Sequence, residues 1–169
     1  MSYNDTYSST VFPKTHGALV TMDHNQSAAT LGTAWTATYK LTNTAATSAS
    51  VLITTPATGT YTLNVDVETT ASASWTLSEA PNATATGSSA ITGICNNRTI
   101  NTADPLTLVG NGTYTSSGTV LENHQSSTII GGKGNILNVW TLAVSSTYLI
   151  RTVEASGNTT IIGVFYHEH

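Results

Sequence analysis

Residues 140–166 hold the densest apolar material in the chain and limit the folds open to it. They read W-T-L-A-V, a Ser-Ser break, T-Y-L-I-R-T-V-E, a turn at A-S-G-N, then T-T-I-I-G-V-F-Y. Short runs rich in Val, Ile, Thr, Tyr and Phe, punctuated by Ser, Gly and Asn, signal consecutive strands. Side chains alternate along a strand, so Ile161 and Phe165 point one way while Ile162, Val164 and Tyr166 point the other. Both faces of that strand ask for cover, since a face left wet would carry polar residues.

The strand signal continues upstream. Residues 60–68 give the cleanest alternation, with Tyr61, Leu63, Val65 and Val67 opposite Thr62, Asn64, Asp66 and Glu68. One side of that strand is dry and the other wet, so its contrast with the C-terminal strand predicts extra cover packed near the C-terminus. Trp35, Ala37, Tyr39 and Leu41 alternate in the same manner within residues 32–42. Shorter apolar runs are separated by turn residues, among them Asp23-His24-Asn25-Gln26, P-A-T-G at 56–59, Asn96-Asn97-Arg98 and Gly110-Asn111-Gly112. No window of about ten residues shows a 3.6 period, so almost no helix is expected. Roughly nine or ten short strands with frequent turn signals make an all-β fold, a β-sandwich of jelly-roll type.

At 169 residues the chain fits one domain, and a domain of that size buries roughly two-thirds of its unfolded surface. The expected division is an N-terminal arm at 1–14 and a single sandwich at 15–169. The arm has no sustained period but carries Tyr3, Tyr7, Val11 and Phe12 before Pro13. It reads either as a solvated tail or as an extended arm that docks its aromatics on a neighbour.

Charged residues are only 8% of the chain, against roughly 25% in an ordinary soluble protein. Solubility then rests on the hydroxyls and amides of Thr, Ser and Asn, which lose little side-chain entropy at a contact. The five Lys and Arg residues are scattered and the net charge is −4, which argues against nucleic acid and an anionic membrane as partners. The start M-S-Y-N-D-T-Y lacks the basic and apolar regions of a signal peptide, so export by that route is not expected.

The residues that could carry chemistry are few. Asp66 and Glu68 share a strand face at i, i+2, but opposite Leu63 and Val65 they read as a solvated face rather than a catalytic pair. His167 and His169 share a side at the same spacing and could hold a metal with Glu168 turned away, although a terminal H-E-H also reads as an exposed tail. Cys95, the single cysteine, reads as a buried thiol. Gly131-Gly132-Lys133-Gly134 lacks the spacing of a phosphate loop and reads as a plain loop. No G-x-S-x-G elbow is present, and the expectation is a non-enzyme with no metal and no cofactor.

From about residue 51 onward the order of segments carries a resemblance. V-L-I-T-T-P-A-T-G-T-Y is followed by W-T-L-S-E-A-P, the N-N-R turn, G-T-V-L at 118–121, a Gly-rich loop, W-T-L at 140–142, T-Y-L-I-R at 147–151 and a closing F-Y. This ordered set, over about two-thirds of the chain, resembles the capsid decoration (cement) proteins of tailed bacteriophages. The resemblance implies a β-rich structural virion protein, commonly trimeric, with no catalytic residues. It would sit on the outer surface of the major capsid shell at local three-fold positions, after assembly in the host cytoplasm. Its partners would be the major capsid protein and further copies of itself. The expected contact residues are Tyr3, Tyr7, Val11 and Phe12 of the arm with Ile162, Val164 and Tyr166 of the last strand. The alternative is a receptor- or glycan-binding module of a phage tail or fibre, with Trp35, Trp75 and Tyr114 as sugar-facing aromatics.

Overall fold

The computed structural model describes residues 24–42, 48–70, 73–84, 89–111, 113–125, 133–135, 139–153 and 159–169. The described chain enters through helix α1 (His24–Leu31), then β1 (Ala34–Thr42), β2 (Ser50–Thr54), β3 (Tyr61–Thr69) and β4 (Ser74–Glu79). Short strands follow: β5 (Asn82–Thr84), β6 (Ser89–Ile91), β7 (Ile94–Cys95), β8 (Thr107–Gly110) and β9 (Thr113–Ser116). Then come β10 (Thr119–Gln125), β11 (Lys133–Asn135), β12 (Trp140–Leu142), β13 (Thr147–Val153) and β14 (Thr159–Glu168).

The strands form two antiparallel sheets. Sheet A runs β11–β3–β14–β1–β7 with β12 also on β3, and sheet B runs β10–β4–β13–β2–β8–β6. Stripped of the short additions, these are β1–β14–β3–β12 and β2–β13–β4–β10. The chain changes sheet at every step between these strands except from β4 to β10, which pair directly. That is the double Greek key of a jelly roll, so the molecule is a β-sandwich of jelly-roll type. The excursion from β4 to β10 carries all five of the short strands β5–β9.

The core lies between the sheets, where the inward residues of alternating strands meet. Trp35, Leu63, Val65, Ile162, Val164 and Tyr166 of sheet A pack on Val51, Ile53, Trp75, Leu77 and Ile150 of sheet B. The alternation over residues 60–68 is realised as read, with Tyr61, Leu63, Val65 and Val67 all buried.

The extra cover, however, lies elsewhere than expected. On β14 only the Ile162, Val164 and Tyr166 face is buried, and Phe165 on the other face is 44% exposed. Strands covered on both faces lie in sheet B, among them β2, β8 and the longest, β13. Its Ile150 faces the core, while Leu149 joins Leu52 and Val109 in a second apolar cluster on the outside of sheet B. Tyr114 of the β5–β9 ribbon packs on that cluster, and the Arg151 guanidinium sits 5.3 Å from the centre of its ring. Strand sequence shows that two faces want burial, not which part of the chain returns to supply it.

A helix replaces the turn expected at residues 23–26. It buries Ala28 and ends at Gly32, whose φ of 75° is the left-handed conformation that glycine adopts without strain. Gly32 N–H donates to the Ala29 carbonyl and Thr33 N–H to that of Ala28, closing the last turn. Its apolar content is Ala28, Ala29 and Leu31, too sparse to register as a 3.6 period.

One end of the sandwich is closed by a carboxylate. Asp104 accepts from Gly93 N at 2.6 Å, from Leu106 N at 3.0 Å and from the Tyr166 hydroxyl at 2.5 Å. Tyr166 stacks on Trp35 at 5.8 Å between ring centres, and Trp35 Nε1 donates to the Thr102 carbonyl at 3.2 Å. The segment before β8 is thereby tied to β1 and β14 of sheet A. A Cβ at position 93 would lie 1.9 Å from the Tyr166 oxygen, so only glycine fits there.

Candidate functional site: a groove on the outer face of sheet A

The outward residues of β3, β14 and β1 come into register across sheet A. Thr62, Asn64 and Asp66 stand opposite His167, Phe165 and Gly163. On the far side of β14, Thr36 stands opposite Phe165 and pairs in turn with Ile94 of β7. Phe165 therefore sits mid-sheet with polar neighbours on both flanks. Gly163 lies two residues before it on the same face, and a Cβ there would be 3.3 Å from the Phe165 ring. One carbon of the ring thus reaches over the glycine, while the side chain as a whole stays exposed.

Around this ring is an open groove of ≈ 380 Å³, lined among others by Thr62, Asn64, Asp66, Asn96, Phe165 and His167. Asn96 is held at its rim, its N–H donating to the Ala34 carbonyl and its Oδ1 accepting from Thr36 Oγ1 at 2.9 Å. At one end the His167 and His169 rings meet edge to face, 4.6 Å apart, and Thr62 Oγ1 hydrogen-bonds His169 Nε2. Among the described residues that line the groove there is no Lys or Arg, and Asp66 is the one carboxylate. The wall formed by Thr62, Asn64 and Asp66 spans ~13 Å at strand spacing.

A second polar group faces inward at the edge of sheet B. Glu122 accepts from Trp140 Nε1 at 2.8 Å and pairs with His124 Nε2 at 2.5 Å, with its side chain only 8% exposed. His124 in turn stacks on the buried Trp75 ring at 4.6 Å. Placing a buried acid and an imidazole on an edge strand discourages edge-to-edge pairing with another chain.

Several residues singled out in the sequence are placed differently. Ile162, Val164 and Tyr166, expected at a capsid or subunit contact, are 0%, 1% and 2% exposed because the molecule's own second sheet covers them. They belong to the core, and the outward face of β14 is Ile161, Gly163, Phe165 and His167. Tyr3, Tyr7, Val11 and Phe12 lie outside the described residues. Trp35 and Trp75, offered as sugar-facing aromatics, are buried, and Tyr114 is half-buried against sheet B.

Asp66 and Glu68 do share the outer face of β3, where Asp66 enters the groove and Glu68 stands beyond it, opposite Ile161. Cys95 is buried, its Sγ within 3.5 Å of the Asn97 carbonyl. His167 and His169 lie together as their spacing implied, with Glu168 turned to the Tyr61 hydroxyl at 3.3 Å. Among the described residues no cluster of three or more His, Cys, Asp or Glu side chains is placed to hold a metal ion. Lys133 and Gly134, read as loop, open the short strand β11 against β3.

Asn64 was legible as outward-facing, whereas the face of Phe165 was read as asking for cover, and only the β3–β14 register brings the two opposite one another. The available signal was an aromatic two residues after a glycine on the same strand face.

No family model matches the chain, and no curated protein matches it. Among solved structures it is similar to the Eiger TNF of S. frugiperda at 10% identity, over 78% of this chain and 90% of that one, with a TM-score of 0.29. A Bacillus thuringiensis Cry1Da tryptic core variant aligns at 12% identity over 80% of this chain and 18% of that one, TM-score 0.25. The Gx strain of infectious bursal disease virus aligns at 12% identity over 79% and 42%, TM-score 0.15. At such TM-scores none of the three bears on what this chain does.

Proposed function

We propose that this chain is a structural virion protein without catalytic activity: a bacteriophage capsid decoration protein. It binds the outer surface of the major capsid shell as a trimer at local three-fold positions and stabilises the head. The observation that carries the reading is an apolar end on a nearly charge-free sandwich. Leu31 and Ile100 are 50% and 54% exposed. Leu31 ends α1, and a Cβ at the adjoining Gly32 would be 3.1 Å from the Ile100 side chain. Scattered surface apolar residues are ordinary, whereas a group at one end marks a contact.

In this reading an N-terminal arm at residues 1–14, with Tyr3, Tyr7, Val11 and Phe12, adds to the contact. The core is complete without a partner, and attachment then uses this end and the arm. Three arms on one trimer multiply a modest single contact through avidity. The test is co-sedimentation with isolated undecorated heads. Deleting residues 1–12, or replacing Ile100 with Ser, weakens attachment at least tenfold while light scattering shows the same free oligomer. Binding as tight as that of the full chain overturns the reading.

A further inference from the structure

From the outer face of sheet B we infer that Arg151 is the centre of a binding site for a carboxylate-bearing ligand, a role independent of attachment to a shell. Arg151 shares the outward face of β13 with Leu149 and Val153. Across the ladder it stands opposite Thr76 of β4 and Ser50 of β2, and Thr76 stands opposite Asn123 of β10. The row from Asn123 to Ser50 is therefore polar, and Arg151 is its one charge. Asn123 is exposed, while Thr76 and Arg151 are half-buried.

The guanidinium is set in place from two sides. Its Nε and Nη2 both donate to Ser48 Oγ at 3.3 Å, and its central carbon lies 5.3 Å from the centre of the Tyr114 ring. Those bonds use one edge of the planar group. The other edge, formed by Nη1 and the remaining hydrogen of Nη2, makes no bond to a described residue. That edge is a pair of parallel donors, which matches the two oxygens of a carboxylate. Because Ser48 and Tyr114 already hold the side chain, a ligand meets little of the entropy cost of ordering it.

Charge narrows the ligand class. The acids of the adjoining strands are turned elsewhere: Glu79 accepts from the Tyr148 hydroxyl at 3.0 Å, and Glu122 accepts from Trp140 Nε1 at 2.8 Å while pairing with His124. Among the described residues no carboxylate pairs with Arg151. One guanidinium in a row of neutral side chains offsets one negative charge, so a carboxylate is matched, whereas doubly charged phosphate or sulfate keeps a charge uncompensated. The half-buried position strengthens the pairing, since water screens it less than at an open surface.

The experiment is NMR of the arginine Nε–H signals of the full chain, titrated with sodium acetate at constant ionic strength, beside sulfate and phosphate. The Arg151 signal is expected to shift saturably with acetate. Arg151→Gln weakens acetate binding at least tenfold, read from the backbone amides of β13. Arg151→Lys, which keeps the charge but loses the paired donors, weakens it several-fold. Arg98→Gln, outside the row, leaves it unchanged. Thermal melts establish which variants are folded, and Arg151→Lys decides the matter if Arg151→Gln is not. A parallel titration with a capped aspartyl peptide separates the two sources of a carboxylate: tighter binding than acetate assigns the site to a protein side chain, weaker binding to a free organic acid. The inference is overturned if acetate gives no saturable shift, if sulfate or phosphate binds more tightly than acetate, or if a folded Arg151 variant binds acetate as the native chain does.

Discussion

Replacing Tyr166 with Phe removes a single oxygen from the knot that closes the sandwich and leaves the rest standing. The ring stays stacked on Trp35, and Asp104 keeps its bonds from Gly93 N and Leu106 N. What is lost is one hydrogen bond to a charged acceptor, at 2.5 Å between residues 62 apart in sequence. Such bonds contribute about 1.5–3 kcal/mol. In a domain of this size that corresponds to a fall in Tm of roughly 3–12 °C. Urea unfolding at one fixed protein concentration measures it, with the slope unchanged because the same surface is exposed.

Gly93→Ala sharpens the test. Its Cβ would sit 1.9 Å from the Tyr166 oxygen and 2.6 Å from Asp104 Oδ2, so alone it costs more than about 3 kcal/mol through overpacking. Combined with Tyr166→Phe, the first clash disappears, and the two costs sum to less than their separate values. A loss below about 0.5 kcal/mol for Tyr166→Phe, or strict additivity of the pair, would refute the account of this knot.

Alkali probes the same residue: burial first, then the Asp104 carboxylate, holds the Tyr166 phenol well above its ordinary 10.0, and burial also raises Tyr39, Tyr61 and Tyr148. Above about pH 10 the unfolded chain loses phenolic protons that the folded chain keeps, so stability is full below that pH and falls beyond it. For Tyr166 the slope reaches about 1.4 kcal/mol per pH unit, and urea titrations at pH 9, 10 and 11 show a shallower fall in Tyr166→Phe. Glu122→Ala leaves the Trp140 N–H without its acceptor and His124 without its carboxylate, costing about 2–4 kcal/mol in the same assay. On β14, Ile162→Ala costs about 2–5 kcal/mol, whereas Ile161→Ala on the outward face costs less than half as much; equal losses would mean the strand's facing is wrong.

The period-2 pattern was enough to determine an all-β sandwich, because alternation dictates which side chains share a face whatever the strand pairs with. That is why Tyr61 through Val67 and the Ile162, Val164, Tyr166 face could be read directly from residue order. Helix α1 escaped the same reasoning, since its short turns are set by a glycine cap and by packing of Ala28 rather than by periodic apolar residues. Strand partners were likewise out of reach: 140–142, 147–153 and 159–168 are neighbours in sequence, yet none of the three pairs with another. Only tertiary structure decided that β14 lies between β1 and β3, that the Tyr114 ribbon covers β13, and that Phe165 faces Asn64 across two strands. The physical reason is that side-chain alternation is a local property of the backbone, whereas register and cover are set by contacts between residues far apart in sequence, as between Ala34 and His167, which pair across β1 and β14.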